Sequence, residues 1–400
     1  MQVACEEGSG HEVRVTLVIA TLGGGGAERV AANMANCWAA KGWAVVIITT
    51  CFGDQPSSYD LDPRVARIDV ESRRLNRLPI DPQELAPLAG LLADCSQAER
   101  AALVPQTAHL MMLRETILAT RPQVVISYID VTNLFVLSAI RGSGLPVIVS
   151  EQCDPNHNFI GDGWELLRRR LYPQARYVAV LTEESLGYFS GIPGIRGRII
   201  PNPLTPSVFS ESDDIAHRKA GKTLMAMGRL AQEKGFDLLL HAFALVASRN
   251  TDWTLEIVGE GSLRPYIESC IQKFDLEGRV RLPGFTRQPF DAMRRADLFV
   301  LSSLCEGFPN VLLEAMACGI AVVSFDCPSG PRHIIRNGVD GTLVPPGDTE
   351  ALAVALDRLM GDPVERKRLA AKAPEVAERF SADKIMSMWE ELVVECASHP

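Results

Sequence analysis

Length, composition and charge limit the classes of protein to which this chain can belong. Its 400 residues are enough for two domains with a core each. Hydrophobic residues make up 47% and charged residues 22%, as in ordinary globular proteins, and the longest apolar runs fall short of the ~18 residues of a membrane span. The net charge of −9 argues against nucleic acid as a partner.

The ten cysteines are scattered, and several lie inside apolar runs, for example Cys37, Cys51 and Cys318. The sequence has neither a C-x-x-C pair nor a Cys/His cluster with metal-ligand spacing. We therefore predict reduced thiols in the cores rather than disulfides or a metal centre. A signal-peptide pattern does not precede the first predicted strand, so we expect a cytoplasmic protein.

The first half opens with a strand, a glycine loop, a helix and a second strand. Strands are predicted at residues 13–21 and 44–50, a helix at 27–40, and the run Gly23-Gly24-Gly25-Gly26 between them. Glycines in such a loop let an anion approach the backbone amides closely. A dinucleotide fingerprint would need glycine in its sixth place, which holds Glu28 when counted from Gly23. A tight turn before a helix is the alternative interpretation of the loop.

Polar residues follow two later strands of this half, predicted at residues 123–127 and 146–150. Ligands bind at the carboxyl ends of strands in open α/β sheets, so the residues there are candidates for handling an acceptor. Loop capping explains each of them equally well. These acceptor-side candidates are Asp130, Glu151, Asp154 and His157.

Two basic stretches also lie in the first half. Three arginines, Arg73, Arg74 and Arg77, cluster in the proline-dotted segment 71–107. A solvated face is the preferred interpretation of this cluster, and a surface excursion near the acceptor is the alternative. A helix predicted at 163–172 carries three more, Arg168 to Arg170, beside Trp164. Such a helix can rest on an anionic membrane surface, but a domain helix with a solvated basic face is the preferred interpretation.

A second series of strands and helices follows a proline-containing linker. The strand predicted at 223–227 leads into Gly228 and Arg229, and Lys234 precedes the next helix. Two cations on one loop suit a diphosphate, because arginine can bind two oxygens while lysine supplies a compact charge. Further turns at strand ends contain Gly259, Glu260 and Leu282.

Two carboxylates eight positions apart, Glu306 and Glu314, follow the strand predicted at 298–302. A helix predicted from Pro309 to Cys318 has its apolar residues on one side and Glu314 on the other. The free amides at its start lie beside Glu306 and attract phosphates or hydroxyls. A buried helix with one loop acid and one surface acid is the alternative.

These residues carry a family resemblance. Glu306 and Glu314 match the E-x7-E motif, and the segment 228–235 matches the G-R-x-x-x-x-K-G pattern, of glycosyltransferase family 4, which uses the two-domain GT-B fold. The chain resembles bacterial members that build surface polysaccharides, over residues 13–395 and most densely over 223–348. Relatives commonly carry glutamate where His333 stands, so we assign His333 no role beyond a helix start.

The resemblance implies an α/β protein with two Rossmann-like domains facing across a cleft. We expect an N-terminal acceptor domain at residues 12–203, a linker at 204–222 and a C-terminal nucleotide-sugar domain at 223–380. The last helix, within 381–400, would cross back to the N-terminal domain, and its apolar stripe suits such docking.

The resemblance further implies a retaining hexosyltransferase that takes a sugar from a nucleotide-diphosphate sugar, expected to be UDP-linked. The acceptor would be a glycan or a lipid-linked glycan, with peripheral contact to the inner membrane face. Arg229 and Lys234 would neutralise the leaving diphosphate, Glu306 would hold sugar hydroxyls, and Glu314 would hydrogen-bond the ribose hydroxyls. Neither a metal nor a cofactor would be required. The expected donor-binding residues are Gly25, Gly26, Gly228, Arg229, Lys234, Gly259, Glu260, Leu282, Glu306, Gly307, Phe308, Pro309, Asn310, Val311 and Glu314.

Other activities stay open at this point. A nucleotide-sugar epimerase or a glycan phosphorylase would use the same fold, and a non-catalytic glycan-binding relative would keep the fold without the chemistry. An NAD-dependent oxidoreductase is disfavoured by the incomplete glycine fingerprint. Asp213 and Asp214 lie in the linker rather than at a strand end, so they are not predicted metal ligands.

Overall fold

The computed structural model describes residues 13–51, 57–70, 86–205 and 222–398. Within these ranges the chain forms two parallel sheets, one in each half. The first contains β1 (Arg14–Ile19), β2 (Ala44–Thr49), β3 (Ala66–Asp69), β4 (Val124–Tyr128), β5 (Val147–Ser150), β6 (Tyr177–Val180) and β7 (Gly197–Ile199). The second contains β8 (Lys222–Met227), β9 (Trp253–Val258), β10 (Val280–Gly284), β11 (Leu298–Leu301), β12 (Val322–Phe325) and β13 (Thr342–Val344).

Helices connect the strands in both halves. Those of the first half are α1 (Gly26–Ala40), α2 (Ala86–Asp94), α3 (Gln97–Leu103), α4 (Thr107–Ala119), α5 (Asp130–Ala139), α6 (Asp162–Leu171) and α7 (Glu183–Phe189). Those of the second half are α8 (Phe236–Ala247), α9 (Arg264–Lys273), α10 (Pro289–Arg294), α11 (Asn310–Ala317), α12 (Pro331–Ile334), α13 (Thr349–Gly361), α14 (Pro363–Lys372), α15 (Val376–Arg379) and α16 (Ala382–Ser398).

Both sheets have the same strand order at their centre. The first runs β3-β2-β1-β4-β5-β6-β7 and the second β10-β9-β8-β11-β12-β13. In each sheet the chain starts in the middle, builds to one edge and then returns to build to the other. The order therefore reverses between β1 and β4 and between β8 and β11, and these are the points where open α/β sheets leave a crevice for ligands.

The strands read as continuous apolar runs because each sheet is covered on both faces. Along β1, Leu17 packs in one core and Val18 in the other, as the alternation of side chains requires. The second sheet is divided in the same way, with Leu224 and Met225 in separate cores. The predicted pair of Rossmann-like domains is thus confirmed.

The last helix, α16, packs on the first domain although it follows the second in the chain. Ile385, Trp389 and Val393 are buried in the same core as Leu17. At its edges Lys41 pairs with Glu390 at 2.6 Å, and the hydroxyl of Tyr177 donates to Glu395. The predicted return of the final helix to the N-terminal domain is therefore confirmed.

The basic helix α6 differs from its prediction. Arg168 is fully buried, and Arg170 pairs with Glu99 at 2.6 Å, so of the three arginines Arg169 is the one exposed without a described ion pair. The expected solvated basic face was wrong for Arg168, because neighbouring carboxylates draw it inward. Residues 71–85 and 206–221, with the other arginine cluster and the linker aspartates, lie outside the described residues.

The cysteines within the described ranges are free thiols, as predicted. Inside those ranges, no helix combines the length and the apolar composition needed to cross a bilayer. The same part of the chain contains no group of three or more His, Cys, Asp or Glu residues arranged to hold a metal ion.

Candidate active site

The loops that leave β8 and β11 meet at the reversal point of the second sheet. Lys234 follows β8, Glu306 follows β11, and the Lys234 Nζ lies 2.7 Å from the Glu306 Oε1. The strands are direct neighbours, so the loops that follow them bring residues distant in sequence together. A cation and a carboxylate thus share one edge of the sheet.

Two serines hold this pair in place. Ser303 Oγ donates to the Glu306 Oε1 at 2.6 Å, and Ser302 Oγ donates to the Lys234 carbonyl at 2.8 Å. Both serines are buried, whereas the Lys234 and Glu306 side chains remain 21% and 11% exposed. The two buried serines therefore orient the charged groups, which remain accessible from the crevice. This arrangement suits a phosphate at Lys234 and hydroxyls at Glu306.

Glycines allow these loops to pack closely. Gly235 has φ +57°, and a Cβ there would lie 2.3 Å from the Ser302 carbonyl oxygen. Gly259 has φ +143°, and a Cβ there would lie 2.0 Å from the Gly228 carbonyl oxygen. A side chain at either position would push the loops apart.

The remaining polar residues of this wall lie around the pair. Arg229 is 74% exposed, with its Nη2 3.0 Å from the Glu233 Oε1. Arg264, which the sequence analysis did not single out, links two predicted residues: it pairs with Glu260 at 2.7 Å and donates to the Leu282 carbonyl at 3.1 Å. Charge-assisted contacts thus hold the turn after β9 beside the end of β10.

The start of α11 is anchored by buried residues that precede it. Phe308 and Pro309 are buried, and the Phe308 ring meets Phe380 edge to face with centroids 5.4 Å apart. Val311 is half-buried, and Asn310 begins the helix. The backbone of this segment, rather than the Phe308 side chain, therefore faces the crevice loops.

Glu314 lies deeper than the sequence indicated. It is 2% exposed, its Oε1 lies 2.8 Å from the Arg29 Nη2, and it accepts from Thr205 Oγ1 at 3.3 Å. Burial raises the pKa of Glu314, while Arg29 and Thr205 oppose that rise. The alternative of a surface acid was wrong, because the first domain covers this side of α11. The pairing with Arg29 was not foreseen.

The glycine loop of the first domain forms the opposite wall. Asn310 Nδ2 donates to the Gly26 carbonyl at 3.4 Å, and Tyr59 donates to the Gly25 carbonyl at 2.6 Å. A Cβ on Gly307 would lie 2.3 Å from the carbonyl oxygen of Gln152. The two domains therefore touch at the start of α11 and at the Gly307 turn. The donor-binding roles of the predicted residues stay predictions.

Two of the acceptor-side candidates belong to a buried charge cluster. Asp130 and Glu151 follow neighbouring strands and lie 4.0 Å and 3.9 Å from Arg168, which also bonds Glu165 at 3.0 Å. The Tyr172 hydroxyl donates to Glu151. Burial raises the pKa of Glu151 to about 7, against the opposing effect of Arg168.

The other two acceptor-side candidates, Asp154 and His157, form a pair in the loop that follows β5. The His157 Nδ1 lies 2.7 Å from the Asp154 Oδ2, with Asp154 buried and the imidazole 46% exposed. An acceptor role for His157 stays a prediction.

His333 lies on α12, where its Nε2 is 2.7 Å from the Glu184 Oε2 of the first domain. His333 thus contributes an interdomain contact.

Two family models match the chain. Glycosyl transferase 4-like domain matches residues 25–203, and Glycosyl transferases group 1 matches residues 209–376. The chain belongs to the glycosyltransferases. Its halves correspond to the two domains of that family, and the crevice described above lies between them.

Related proteins agree with this assignment. An exopolysaccharide phosphotransferase of Streptomyces coelicolor is 30% identical over 94% of this chain, but the chain spans only 40% of that relative's length. A Campylobacter jejuni α-1,4-N-acetyl-D-galactosaminyltransferase, named for an undecaprenol-diphosphate-linked glycan, is 27% identical over 96% of this chain and 99% of the relative. The Anabaena protein HepE, solved with UDP and glucose, shares the fold with TM-score 0.74 at 18% identity, covering 96% of this chain and 100% of HepE.

Proposed function

We propose that this chain is a retaining glycosyltransferase that moves a hexose-type sugar from a UDP-linked donor to a glycan or lipid-linked glycan acceptor. The contact between Lys234 and Glu306 carries the proposal, because it sets a phosphate-binding cation 2.7 Å from a hydroxyl-binding carboxylate at the reversal point of the sheet. The names of the Campylobacter and Anabaena proteins support a lipid-linked acceptor and a UDP donor.

The reaction breaks the bond between the sugar's anomeric carbon and the donor phosphate. Negative charge then develops on the departing diphosphate, and Lys234 and Arg229 stabilise it from fixed positions. Lys234 is held by its contact with Glu306, whereas the more exposed Arg229 can swing to the phosphate from Glu233. The amides of the Gly307 turn add donors for the same ligand.

Glu306 binds hydroxyls of the donor sugar and does not act as an acid or a nucleophile. Glycosidases need two carboxylates about 5–9 Å apart across the scissile bond. Here the partners of Glu306 are instead Lys234 and Ser303. The acceptor hydroxyl attacks the anomeric carbon from the face that the phosphate leaves, and its proton passes to a phosphate oxygen, so the configuration is retained.

Metal is not part of the proposed mechanism, since Lys234 and Arg229 supply the positive charge. Activity should therefore persist in excess chelator. We further propose that transfer takes place in the cytoplasm at the inner membrane face, where a lipid-linked acceptor would be available. Flotation with anionic vesicles that carry the acceptor tests this placement.

Substitution of the charged pair tests the site. Lys234→Ala and Glu306→Gln should each lower turnover by about 10²-fold or more, with unchanged unfolding midpoints, because the lost interactions act mainly in the transition state. Lys222→Ala is the matched control, since Lys222 lies at the other end of β8 and pairs with the exposed Asp252. Turnover is measured by mass detection of product from a panel of UDP-, GDP- and ADP-sugars.

The outcomes separate the proposal from its alternatives. Wild-type turnover in both site variants would remove these residues from the mechanism. Isomerisation of the donor in the absence of any acceptor would indicate an epimerase. Consumption of free phosphate or release of a sugar phosphate would indicate a phosphorylase, and stabilisation by NAD but by none of the nucleoside diphosphates would exclude the transferase assignment.

A further inference from the structure

Glu314 holds a carboxylate oxygen that lacks a partner. The carboxyl group is buried, and its Oε1 receives both the Arg29 and the Thr205 contacts. Among the described residues the Oε2 has no hydrogen-bond partner and is out of solvent contact. A buried acceptor of this kind requires a donor, and because Glu314 lies where the two domains meet, a hydroxyl of the bound donor can supply it.

Two further unpaired polar atoms belong to residues beside it. Within the described chain, the Arg29 Nε and the Asn310 Oδ1 are also buried without a hydrogen-bond partner. Asn310 lies four residues before Glu314 on α11, so both side chains share a helix face. Arg29 contacts Glu314 directly. Two acceptors and one donor near the start of α11 thus lack hydrogen-bond partners.

This combination suits the vicinal diol of the donor ribose, the group that the family resemblance already assigns to Glu314; the resemblance assigns no role to Arg29. Each hydroxyl of a ribose can donate one hydrogen bond and also accept. Two hydroxyls can therefore donate to the Glu314 Oε2 and the Asn310 Oδ1 while one accepts from the Arg29 Nε. A phosphate would be repelled by Glu314, and an apolar group would leave all three atoms unpaired.

We propose that Arg29, on the first domain, is a positioning residue for the donor ribose. It orients Glu314 and opposes the rise in the pKa of that carboxyl group, so the ribose site is complete only when the first domain lies against α11. This inference rests on the proposed function, since it specifies how that donor is recognised. It extends donor binding to the domain otherwise assigned to the acceptor.

A purely structural role for Arg29 would also explain its contact with Glu314. The ion pair could simply hold the domains together, as His333 and Glu184 do at 2.7 Å. That second pair is more exposed, and His333 and Glu184 have no buried unpaired side-chain atom. His333→Gln therefore removes one interdomain contact without touching the proposed ribose site, and serves as the matched control.

The test compares the binding of UDP with that of 2′,3′-dideoxy-UDP by calorimetry, with the GDP and ADP pairs in parallel. Wild-type protein should prefer the ribose form at least tenfold, because buried hydrogen bonds to a carboxylate are lost in the dideoxy form. In Arg29→Met the preference should fall below threefold with little change in dideoxy-UDP affinity. His333→Gln should keep the full preference.

Two additional measurements keep the test decisive should Arg29→Met fold poorly. Arg29→Lys keeps the charge but lacks the Nε, so it should fold and lose part of the preference. Acidification should abolish the preference at a higher pH in Arg29→Met than in wild type, because Arg29 lowers the pKa of Glu314.

Full ribose preference in both Arg29 variants, or an equal loss in His333→Gln, would overturn the inference. If the inference is overturned in this way but the unsubstituted protein still prefers UDP over 2′,3′-dideoxy-UDP and still transfers sugar, the proposed function stands. Absence of binding for every nucleoside diphosphate would instead reject the proposed function, and this inference with it.

Discussion

Charged residues follow parallel strands in both domains, yet the two sets differ in access. In the second domain Lys234 and Glu306 are 21% and 11% exposed and make one direct contact. In the first domain Arg168 and Glu151 are 0% and 1% exposed and lie among further carboxylates and tyrosines. The partly open pair can exchange its partner for a ligand as it stands, whereas the Arg168 cluster lies within one domain and can do so only if that domain opens.

This difference in exposure indicates that the position of a charge at a strand end does not by itself identify a ligand site. Buried ion pairs are costly to desolvate, and removal of one partner leaves the other charge buried without compensation. We therefore expect substitutions in the Arg168 cluster to change stability, and substitutions at the partly open pair to change turnover. Three variants test this contrast.

The largest effect is expected from Arg168→Met. Removal of this guanidinium leaves Asp130 and Glu151 as buried carboxylates without a counter-charge, which should lower the free energy of unfolding by about 3–5 kcal/mol. Urea unfolding measures the loss, and Arg169→Met on the same helix, where the side chain is exposed, should stay within about 0.5 kcal/mol. A matching fall in turnover per folded molecule would instead favour the acceptor role predicted for Asp130 and Glu151.

Glu151→Gln should change how stability depends on pH. The pKa of Glu151 is raised from 4.5 to about 7, so the folded state favours its protonated form. The stability that Glu151 contributes is present below pH 4.5 and is lost as the pH rises through about 7, by up to about 3 kcal/mol. Unfolding between pH 5 and 8 should therefore show a shallower decline in the variant than in wild type. Parallel curves would mean that Glu151 does not titrate there.

Ser303→Ala should give the smallest effect. Its hydroxyl donates to Glu306 at 2.6 Å, and one such bond contributes about 1 kcal/mol, or about fivefold in kcat/KM. Steady-state kinetics with the preferred donor measure it. Ser269→Ala, which removes an exposed hydroxyl bonded to the Tyr266 carbonyl, should leave kcat/KM unchanged. A loss of more than 100-fold would mean that Ser303 itself contacts the substrate.

The sequence predicted the two-domain fold well because its signals are local. Apolar runs marked the strands, the glycine loop marked the turn after β1, and the apolar stripe of α16 indicated its docking. The resemblance placed Lys234 and Glu306 at one donor site, and the structure shows their direct contact on the loops that follow the neighbouring strands β8 and β11.

Features that depend on packing between domains were missed. A helical wheel assigns one buried face to a helix, but α11 is covered on both sides, so the alternative of a surface acid at Glu314 was wrong and its contact with Arg29 was not predicted. Arg168 was assigned to solvent because three adjacent arginines are typical of an exposed face. Only the fold reveals that Asp130 and Glu151 lie beside it.

The position of α16 has a consequence for synthesis on the ribosome. Trp389 and Val393 complete a core whose other members, such as Leu17 and Trp38, emerge first. The apolar surface of the first domain that α16 covers therefore stays exposed until the second half of the chain has been translated. Nascent chains stalled before Ile385 should depend on chaperones that shield such surfaces.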